Sequence, residues 1–237
     1  ASGDETNSAV MTLFGEGVSP ANLSLSDGPN FDFGPVVATA TALHTFTLTN
    51  SGGFTASLIT GAGLSAPFDF VGGAFPGTGG TCTADLAAKA TCTIVVSFNP
   101  PTTGPANDLI EITYFNGDAN SATDRSIEGT GATPASLAIS DGPVGYDFGT
   151  LPVGASLEKT FTVTNSGGVP AKSVSGSGLS APFTFKGGSY PGTGGTCGAS
   201  IPGANTTCQI VVLYAPTAVG YATATMNLDY NDGLMVQ

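Results

Sequence analysis

Basic residues, histidine and tryptophan are scarce or missing in this sequence. It has one histidine, no tryptophan, and 5 lysines and arginines against 17 aspartates and glutamates, which gives a formal net charge of −12 at pH 7. Nucleic acids and anionic membrane surfaces need a cationic patch, so we expect neither as a partner. The single histidine, His44, is the sole candidate base for a catalytic triad, and a zinc site would need more histidines or a Cys-x-x-Cys spacing. We expect no enzyme, no cofactor and no metal site.

Long apolar runs and helical periodicity are also missing. No apolar stretch approaches the roughly 18 residues of a membrane span, so we expect no membrane insertion by this chain. The nearest approach to a helical pattern is Ala84–Ala90, enough for one or two turns. No charged and apolar leader opens the chain, which indicates a leader removed before Ala1 or an excised piece of a longer protein.

One pattern occurs twice, about 115 residues apart, which marks tandem domains. The first copy contains Asn50-Ser-Gly-Gly, Gly63-Leu-Ser-Ala-Pro-Phe and Gly79-Gly-Thr-Cys82; the second contains Asn165-Ser-Gly-Gly, Gly178-Leu-Ser-Ala-Pro-Phe and Gly194-Gly-Thr-Cys197. The register places repeat 1 at residues 19–132 and repeat 2 at residues 133–237, preceded by residues 1–18.

Each repeat has one closely spaced cysteine pair, Cys82 with Cys92 and Cys197 with Cys208. This spacing predicts two local disulfides, with reduced structural thiols as the alternative. Each bond would stabilise its domain by roughly 2–3 kcal/mol, and both indicate an oxidising compartment. We expect an extracellular or cell-surface protein, exported through the periplasm.

Short alternating strands make up each repeat. His44–Thr49 alternates strictly and ends at Asn50-Ser-Gly-Gly, and repeat 2 has matching apolar positions, including a strand at Tyr146 and Phe148. About seven such strands, with turns every 8–12 residues or so, are typical of an immunoglobulin-like β-sandwich. The predicted fold class is all-β, with two tandem immunoglobulin-like β-sandwich domains and an N-terminal extra strand.

The N-terminal residues match the end of repeat 1. Residues 3–20 align with residues 117–134 and place Leu13 opposite Ile127, so residues 1–18 resemble the last strand of a repeat. Repeat 2, in contrast, has little sequence left for its last strand after Asn231-Asp-Gly. We therefore predict that residues 1–18 are a donor strand, with side chains Val10, Met11, Leu13 and Phe14.

The repeated motifs resemble the bacterial choice-of-anchor D repeats, which are similar to the Hydin-type immunoglobulin-like domains of cilia. Asn-Ser-Gly-Gly, Gly-Leu-Ser-Ala-Pro-Phe, Gly-Gly-Thr-Cys and Cys-x-Ile-Val-Val carry this resemblance across nearly the whole chain. It implies a secreted or surface multidomain protein and no catalytic residues.

The expected partner is the protein itself, as a head-to-tail homopolymer, with a host or prey cell surface or glycans as further candidates. A stalk segment of a long adhesin is the alternative.

Several sequence patterns that could suggest a catalytic or binding site are explained better by a structural role. His44 aligns with Lys159, which indicates a strand residue, and Gly77–Gly80 runs into a cysteine without the lysine of a phosphate loop. Two pairs of acids, Asp27 with Asp32 and Asp141 with Asp147, could chelate calcium between domains, although turn capping explains them better. Phe75 and Tyr190 precede the glycine loops and are candidate contact residues, with packing against the disulfide loop favoured.

Overall fold

Alternating apolar and polar residues form the strands of a computed structural model, which describes residues 9–142 and 144–234. The described residues contain strands and turns and no helix. The predicted fold class is confirmed, because the chain is all-β and folds as tandem immunoglobulin-like β-sandwiches. No described segment forms a helix that is long and apolar enough to cross a membrane.

Repeat 1 contains two four-stranded sheets. Its strands are β1 (Leu23–Leu25), β2 (Asn30–Val37), β3 (Ala42–Asn50), β4 (Ser57–Ala62), β5 (Phe68–Phe70), β6 (Thr91–Phe98), β7 (Gly104–Phe115) and β8 (Asn120–Ala132). The strand orders are β1-β3-β6-β5 and β2-β8-β7-β4. Strand β8 runs antiparallel to β7 and parallel to β2, so it lies inside the second sheet.

Repeat 2 reproduces most of this arrangement. Its strands are β9 (Leu137–Ile139), β10 (Leu157–Asn165), β11 (Ala171–Ser177), β12 (Phe183–Phe185), β13 (Ser200–Ile201), β14 (Thr206–Tyr214) and β15 (Asn227–Asn231). The sheet β12-β14-β10-β9 corresponds to the first sheet of repeat 1, and the second sheet has only the order β13-β11-β15.

The inward positions of the alternating strands form one core in each repeat. In repeat 1 the fully buried side chains include Phe46, Leu48, Ile94, Phe98, Ile110, Ile112 and Ile127, which lie on β3, β6, β7 and β8. In repeat 2 the core includes Phe161, Val163, Ala171, Ile201 and Ile210. Burial of these apolar surfaces between two sheets is the main stabilising term of each domain.

The segment Ala84–Ala90, the nearest approach to a helical pattern in the sequence, forms no helix. Leu86 instead forms an isolated bridge with Ala56, in which each N–H donates to the other's carbonyl, at 2.9 and 3.0 Å. Both side chains belong to the core of repeat 1. Leu86 is anchored in that core by its bridge, and Ala88–Lys89 form a turn, so tertiary contacts override the helical preference of the alanines.

Candidate functional site: a strand slot in repeat 2

Strand β8 completes the second sheet of repeat 1. It pairs with β7 from Gly104 opposite Gly131 to Phe115 opposite Asn120. Its other edge pairs with β2, where Phe31 lies opposite Ile127. Because Ile127 is fully buried, β8 contributes to the core as well as to the backbone ladder.

The same position in repeat 2 holds no strand of the described residues. Strand β15 is 5 residues long, whereas the corresponding β7 has 12. Residues 145–152, which correspond to β2, belong to no sheet. We define the strand slot as the space between residues 145–152 and residues 220–231.

The strand predicted at Tyr146 and Phe148 is therefore wrong for this chain. The turn beside it is kept, since the Gly149 N–H donates to Asp147 Oδ1 at 2.8 Å just as the Gly34 N–H donates to Asp32 Oδ1 at 2.7 Å. The local sequence thus folds as in repeat 1, but the ladder partner that makes β2 a strand is missing beside it.

The core of repeat 2 is less covered on the side of the slot. Ile110 and Ile112 of β7 are 0% exposed, whereas the matching Met226 and Leu228 are only partly buried. Tyr146, which matches the half-buried Phe31, is 41% exposed. Removing this apolar surface from water is worth roughly 25 cal/mol per Å², so a strand that fills the slot would stabilise repeat 2.

Two glycines of β8 show what shape of strand the slot accepts. A Cβ added to Gly129 would lie 2.6 Å from the Phe98 ring, and one added to Gly131 would overlap the Thr102 carbonyl oxygen. The matching residues of repeat 2 are Tyr214 and Ala218, and both line a cavity of about 170 Å³ beside the slot. An incoming strand must therefore carry glycine at these two positions.

A charged pair lies at the rim of the slot. Lys159 Nζ is 3.0 Å from Asp141 Oδ2 and 4.2 Å from the centre of the Tyr146 ring. The hydrogen bond from Lys159 holds the pKa of Asp141 below its ordinary value, so the carboxylate stays charged at neutral pH. The pair keeps the Lys159 ammonium over the aromatic face, which is a favourable cation–π arrangement.

His44 has the corresponding position in repeat 1. Its ring stacks on Phe31 with centroids 3.7 Å apart, and Nε2 lies 3.2 Å from Asp27 Oδ2. Hydrogen bonds from Ser26 and then His44 hold the pKa of Asp27 below its ordinary value. The only histidine of the chain therefore covers a strand aromatic, as Lys159 does, and shares the Asp27 carboxylate with the Ser26 hydroxyl.

The predicted donor side chains are all exposed. Val10, Met11, Leu13 and Phe14 are each at least 80% exposed, and residues 9–18 belong to no sheet of the chain. The predicted N-terminal strand is thus not formed within this chain, because no sheet edge lies beside it. Residues 1–8 lie outside the described residues. An exposed apolar segment of this kind is typical of a surface that binds a partner.

Both predicted disulfides are present. Cys82 is bonded to Cys92 and Cys197 to Cys208, so the bonds link the end of each glycine loop to β6 in repeat 1 and to β14 in repeat 2. A Cβ at Gly77 or Gly192 would collide with the carbonyl oxygen of Val95 or Val211. The glycine loop therefore packs against a strand backbone and does not present its N–H groups to a phosphate.

Asn50 and Asn165 have a structural role that the sequence pattern did not predict, since the pattern indicated only that strands end there. Asn50 Oδ1 accepts from the N–H groups of Asn22 and Gly52, and its Nδ2 donates to carbonyls of the segments at 54 and 86–87. Asn165 repeats this arrangement, and both side chains are fully buried. The signal in the sequence was the asparagine repeated at the same point of both copies.

The aromatic rings of the candidate contact loops pack inward. Phe75 meets Phe70 edge to face at 5.7 Å between centroids, and Tyr190 meets Phe185 at 5.8 Å in the same way. A contact of these loops with another molecule stays a prediction. Burial raises the pKa of Tyr190, and its hydroxyl has no hydrogen-bond partner in the described part of the chain.

Replacing Tyr190 by phenylalanine is expected to stabilise repeat 2. The hydroxyl loses its hydration without gaining a hydrogen bond, which costs about 1 kcal/mol or more, and repeat 1 carries Phe75 at this position. The midpoint of thermal unfolding should rise by a few degrees. Tyr221→Phe is the matched control, since Tyr221 is exposed, and an equal shift in both variants would contradict the explanation.

The aspartates considered for calcium serve turns and ion pairs. Asp32 and Asp147 each accept a backbone N–H two residues on, while Asp27 and Asp141 hold His44 and Lys159. Within the described ranges, no three His, Cys, Asp or Glu side chains are grouped so that they could hold a metal ion.

Comparisons with known proteins give weak structural likenesses. No protein-family model matches the sequence, and no curated protein matches it significantly. The PapD-like domain 7 of human CEP192 is 12% identical with a TM-score of 0.35, over 55% of this chain and 98% of that domain. The class 5 fimbriae chaperone CfaA is 12% identical with a TM-score of 0.31, over 87% of this chain and 98% of its own.

A protease also resembles part of the chain. The Vibrio cholerae protease VesB is 13% identical with a TM-score of 0.35, and the match covers 46% of this chain and 31% of the protease. The chain thus corresponds to less than a third of that enzyme. Likenesses of this size carry no argument about function.

Proposed function

We propose that the protein is an extracellular structural subunit that forms filaments by donor-strand complementation. Residues 1–18 of one copy enter the strand slot of repeat 2 in the next copy. The observation that carries this proposal is the pairing of an uncovered slot in repeat 2 with an exposed segment that matches the strand filling the same position in repeat 1. The two disulfides fit export to an oxidising compartment.

The match to β8 supports one register for the donated strand. Alternation on β8 turns Ile127, Gly129 and Gly131 inward, and these correspond to Leu13, Gly15 and Gly17. Both glycines that the slot requires are therefore present. Val10 and Phe14 correspond to the exposed Asp124 and Glu128, so they lie on the outer face of the sheet, and the inward apolar donors are Met11 and Leu13.

The inward donors face an apolar wall. In repeat 1, Arg125 lies opposite Ile110, and Thr123 lies opposite Ile112. The same register places Met11 opposite Met226 and Ala9 opposite Leu228. These are the partly exposed core residues of repeat 2, and cross-strand apolar pairs of this kind stabilise a sheet.

The direction of the chain favours a neighbouring copy as the acceptor. Strand β8 leads within a few residues into β9, the first strand of the repeat that follows. Residues 9–18 lead in the same way into β1, so the accepting repeat must precede repeat 1. The chain's own slot lies in the repeat after it. Donation between copies is therefore head to tail and does not close, which generates a filament.

A stalk segment of a long adhesin is the second candidate. The observation in its favour is that repeat 1 receives β8 from its own chain, so further repeats of a longer array would fill each slot in the same way. In this case, purified copies would not exchange strands. A binding role toward a host or prey cell surface or glycans would then belong to the exposed loops.

Deleting residues 1–17 tests the proposal. Ser19, whose hydroxyl and carbonyl accept from the Gly53 N–H, is kept, so repeat 1 should fold as before. We expect the full chain to give a ladder of multiples on non-reducing, unboiled SDS gels and fibres in electron micrographs, and the shortened chain to remain monomeric. Equal assembly of both chains would overturn donation by this segment, and a monomeric full chain would favour the stalk.

A synthetic peptide provides the matched test. The peptide of residues 1–18 should bind the shortened chain one to one and raise the unfolding midpoint of repeat 2. The control peptide carries Met11→Asp and Leu13→Asp, which place two charges against the apolar wall. Equal binding of the two peptides would contradict the proposed register.

A further inference from the structure

The junction between the two repeats has a definite set of contacts. Val37, at the end of β2, is 3% exposed and belongs to the core cluster of repeat 2 together with Ala132 and Val169. The Ala38 N–H donates to the Ala132 carbonyl at 2.9 Å. A Cβ on Gly233 would lie 2.9 Å from Val37 and 3.0 Å from Val169, so this glycine admits both valines.

The end of repeat 1 that faces away from repeat 2 has the same contacts that repeat 2 contributes to this junction. The Gly53 N–H donates to the Ser19 carbonyl as the Gly168 N–H donates to that of Thr133, and the Ala21 N–H donates to Asn116 as the Ala135 N–H donates to Asp232. Phe54 corresponds to Val169, and its ring covers Gly117, which corresponds to Gly233. Phe54 is nevertheless 46% exposed, because no residue corresponding to Val37 packs on it within the described chain.

The end of repeat 2 that faces away from repeat 1 presents residues that match those repeat 1 contributes to the junction. Pro152 and Val153 correspond to Val37 and Ala38, and both are exposed. The turn that presents them is kept, since the Gly154 N–H donates to Pro216 at 3.0 Å as the Thr39 N–H donates to Pro100 at 2.8 Å. Each end of the chain therefore presents one half of a junction whose two halves meet between its repeats.

From these contacts we infer that a second copy of this chain docks on the Phe54 surface through Pro152 and Val153. This inference rests on the proposed strand donation and adds a second contact to it. Once residues 9–18 fill the slot, Val18 takes the position of Ala132, and its carbonyl accepts from the Val153 N–H of the neighbouring copy. Phe54 then packs on Pro152, and successive copies meet at the angle that the two repeats adopt within one chain.

The docked contact makes the filament straight, whereas donation alone would leave a single connecting strand between copies. The junction between repeat 1 and repeat 2 buries Val37 and Val169 almost fully. The junction between copies would bury a larger pair, phenylalanine against proline. A filament with both contacts has a fixed rotation and rise for each repeat, and one without the second contact bends at every junction.

Mixing two variants, each with one added free cysteine, tests the contact. Phe54→Cys in one preparation and Pro152→Cys in another can be bridged by a short thiol crosslinker only across two copies. We expect covalent dimers from this mixture and none when Leu43→Cys replaces Phe54→Cys, because Leu43 is exposed and lies near the end of β3 opposite to the Phe54 surface. Crosslinking that is equal in both mixtures, or lacking in both while the unboiled gel ladder persists, overturns the docked contact and leaves donation intact.

The shape of the filament is the second measurement. Phe54→Ser should keep the ladder of multiples but reduce the persistence length in electron micrographs severalfold, while Leu43→Ser should leave it unchanged. Filaments of Phe54→Ser as straight as those of the control would overturn the inference. Loss of the ladder in the unmodified chain would instead overturn strand donation and the docked contact together.

Discussion

Replacing Gly17 by valine is expected to weaken the association of one copy with the next by roughly 100-fold or more. Gly131, its counterpart in β8, faces the backbone carbonyl of Thr102, and a side chain there has no space. The matching wall in repeat 2 is backbone at Ala218, which cannot move aside as a flexible side chain could. Overpacking of about 3 kcal/mol corresponds to a change of about 100-fold.

The free chain should not be affected by this substitution. No atom lies within 4 Å of a Cβ placed on Gly17 or Gly15, so neither variant disturbs the monomer in the described structure. Association is measured by binding of the 1–18 peptide, with and without the substitution, to the chain lacking residues 1–17. Thermal unfolding of the full variant checks that its fold is unchanged.

Neighbouring positions supply the controls for Gly17→Val. Gly15→Val should weaken association less, because its counterpart Gly129 faces the Phe98 ring, which can shift. Glu16→Thr should have no effect, since Glu16 matches the exposed Thr130 on the outer face. If Gly15→Val, Gly17→Val and Glu16→Thr have equal effects, the register derived from β8 is wrong.

Local pattern was sufficient to predict most of the fold. Strict alternation in His44–Thr49 and in Cys92–Phe98 identified strands that the structure contains as β3 and β6. The spacing of Cys82 and Cys92 identified a disulfide that is present. These features depend on residues close in sequence, and each copy of the repeat confirmed the other.

Features that depend on distant partners were not predictable in the same way. Tyr146 and Phe148 alternate as Phe31 and Phe33 do, yet only the first repeat has a strand there, because only it has β8 beside it. The repeat register did predict that residues 1–18 match β8. The register alone could not distinguish Met11 and Leu13, which align with inward positions of β8, from Val10 and Phe14, which align with outward positions. That distinction required the burial pattern of β8.

Replacing Asn165 by alanine is expected to lower the free energy of unfolding of repeat 2 by about 3–5 kcal/mol. Its amide makes four hydrogen bonds of 3.0–3.1 Å, accepting from the N–H groups of Ser136 and Gly167 and donating to the carbonyls of Val169 and Ile201. The side chain is fully buried, so water cannot replace these bonds. Each buried group left unpaired costs about 1–3 kcal/mol, although some relaxation is expected.

The adjacent serine gives the matched control for Asn165→Ala. Ser166 is exposed, and its hydroxyl donates to the Ser136 carbonyl at 3.3 Å, so Ser166→Ala should change the free energy of unfolding by less than about 0.5 kcal/mol. Denaturant unfolding of both variants measures the difference. Asn165 joins β10 to the segments before β9 and β11, and β11 pairs with β15, which forms part of one wall of the slot. Its loss should therefore reduce peptide binding along with stability. A variant as stable as Ser166→Ala would show that the amide is dispensable, and unchanged peptide binding in a destabilised variant would show that the slot forms independently of it.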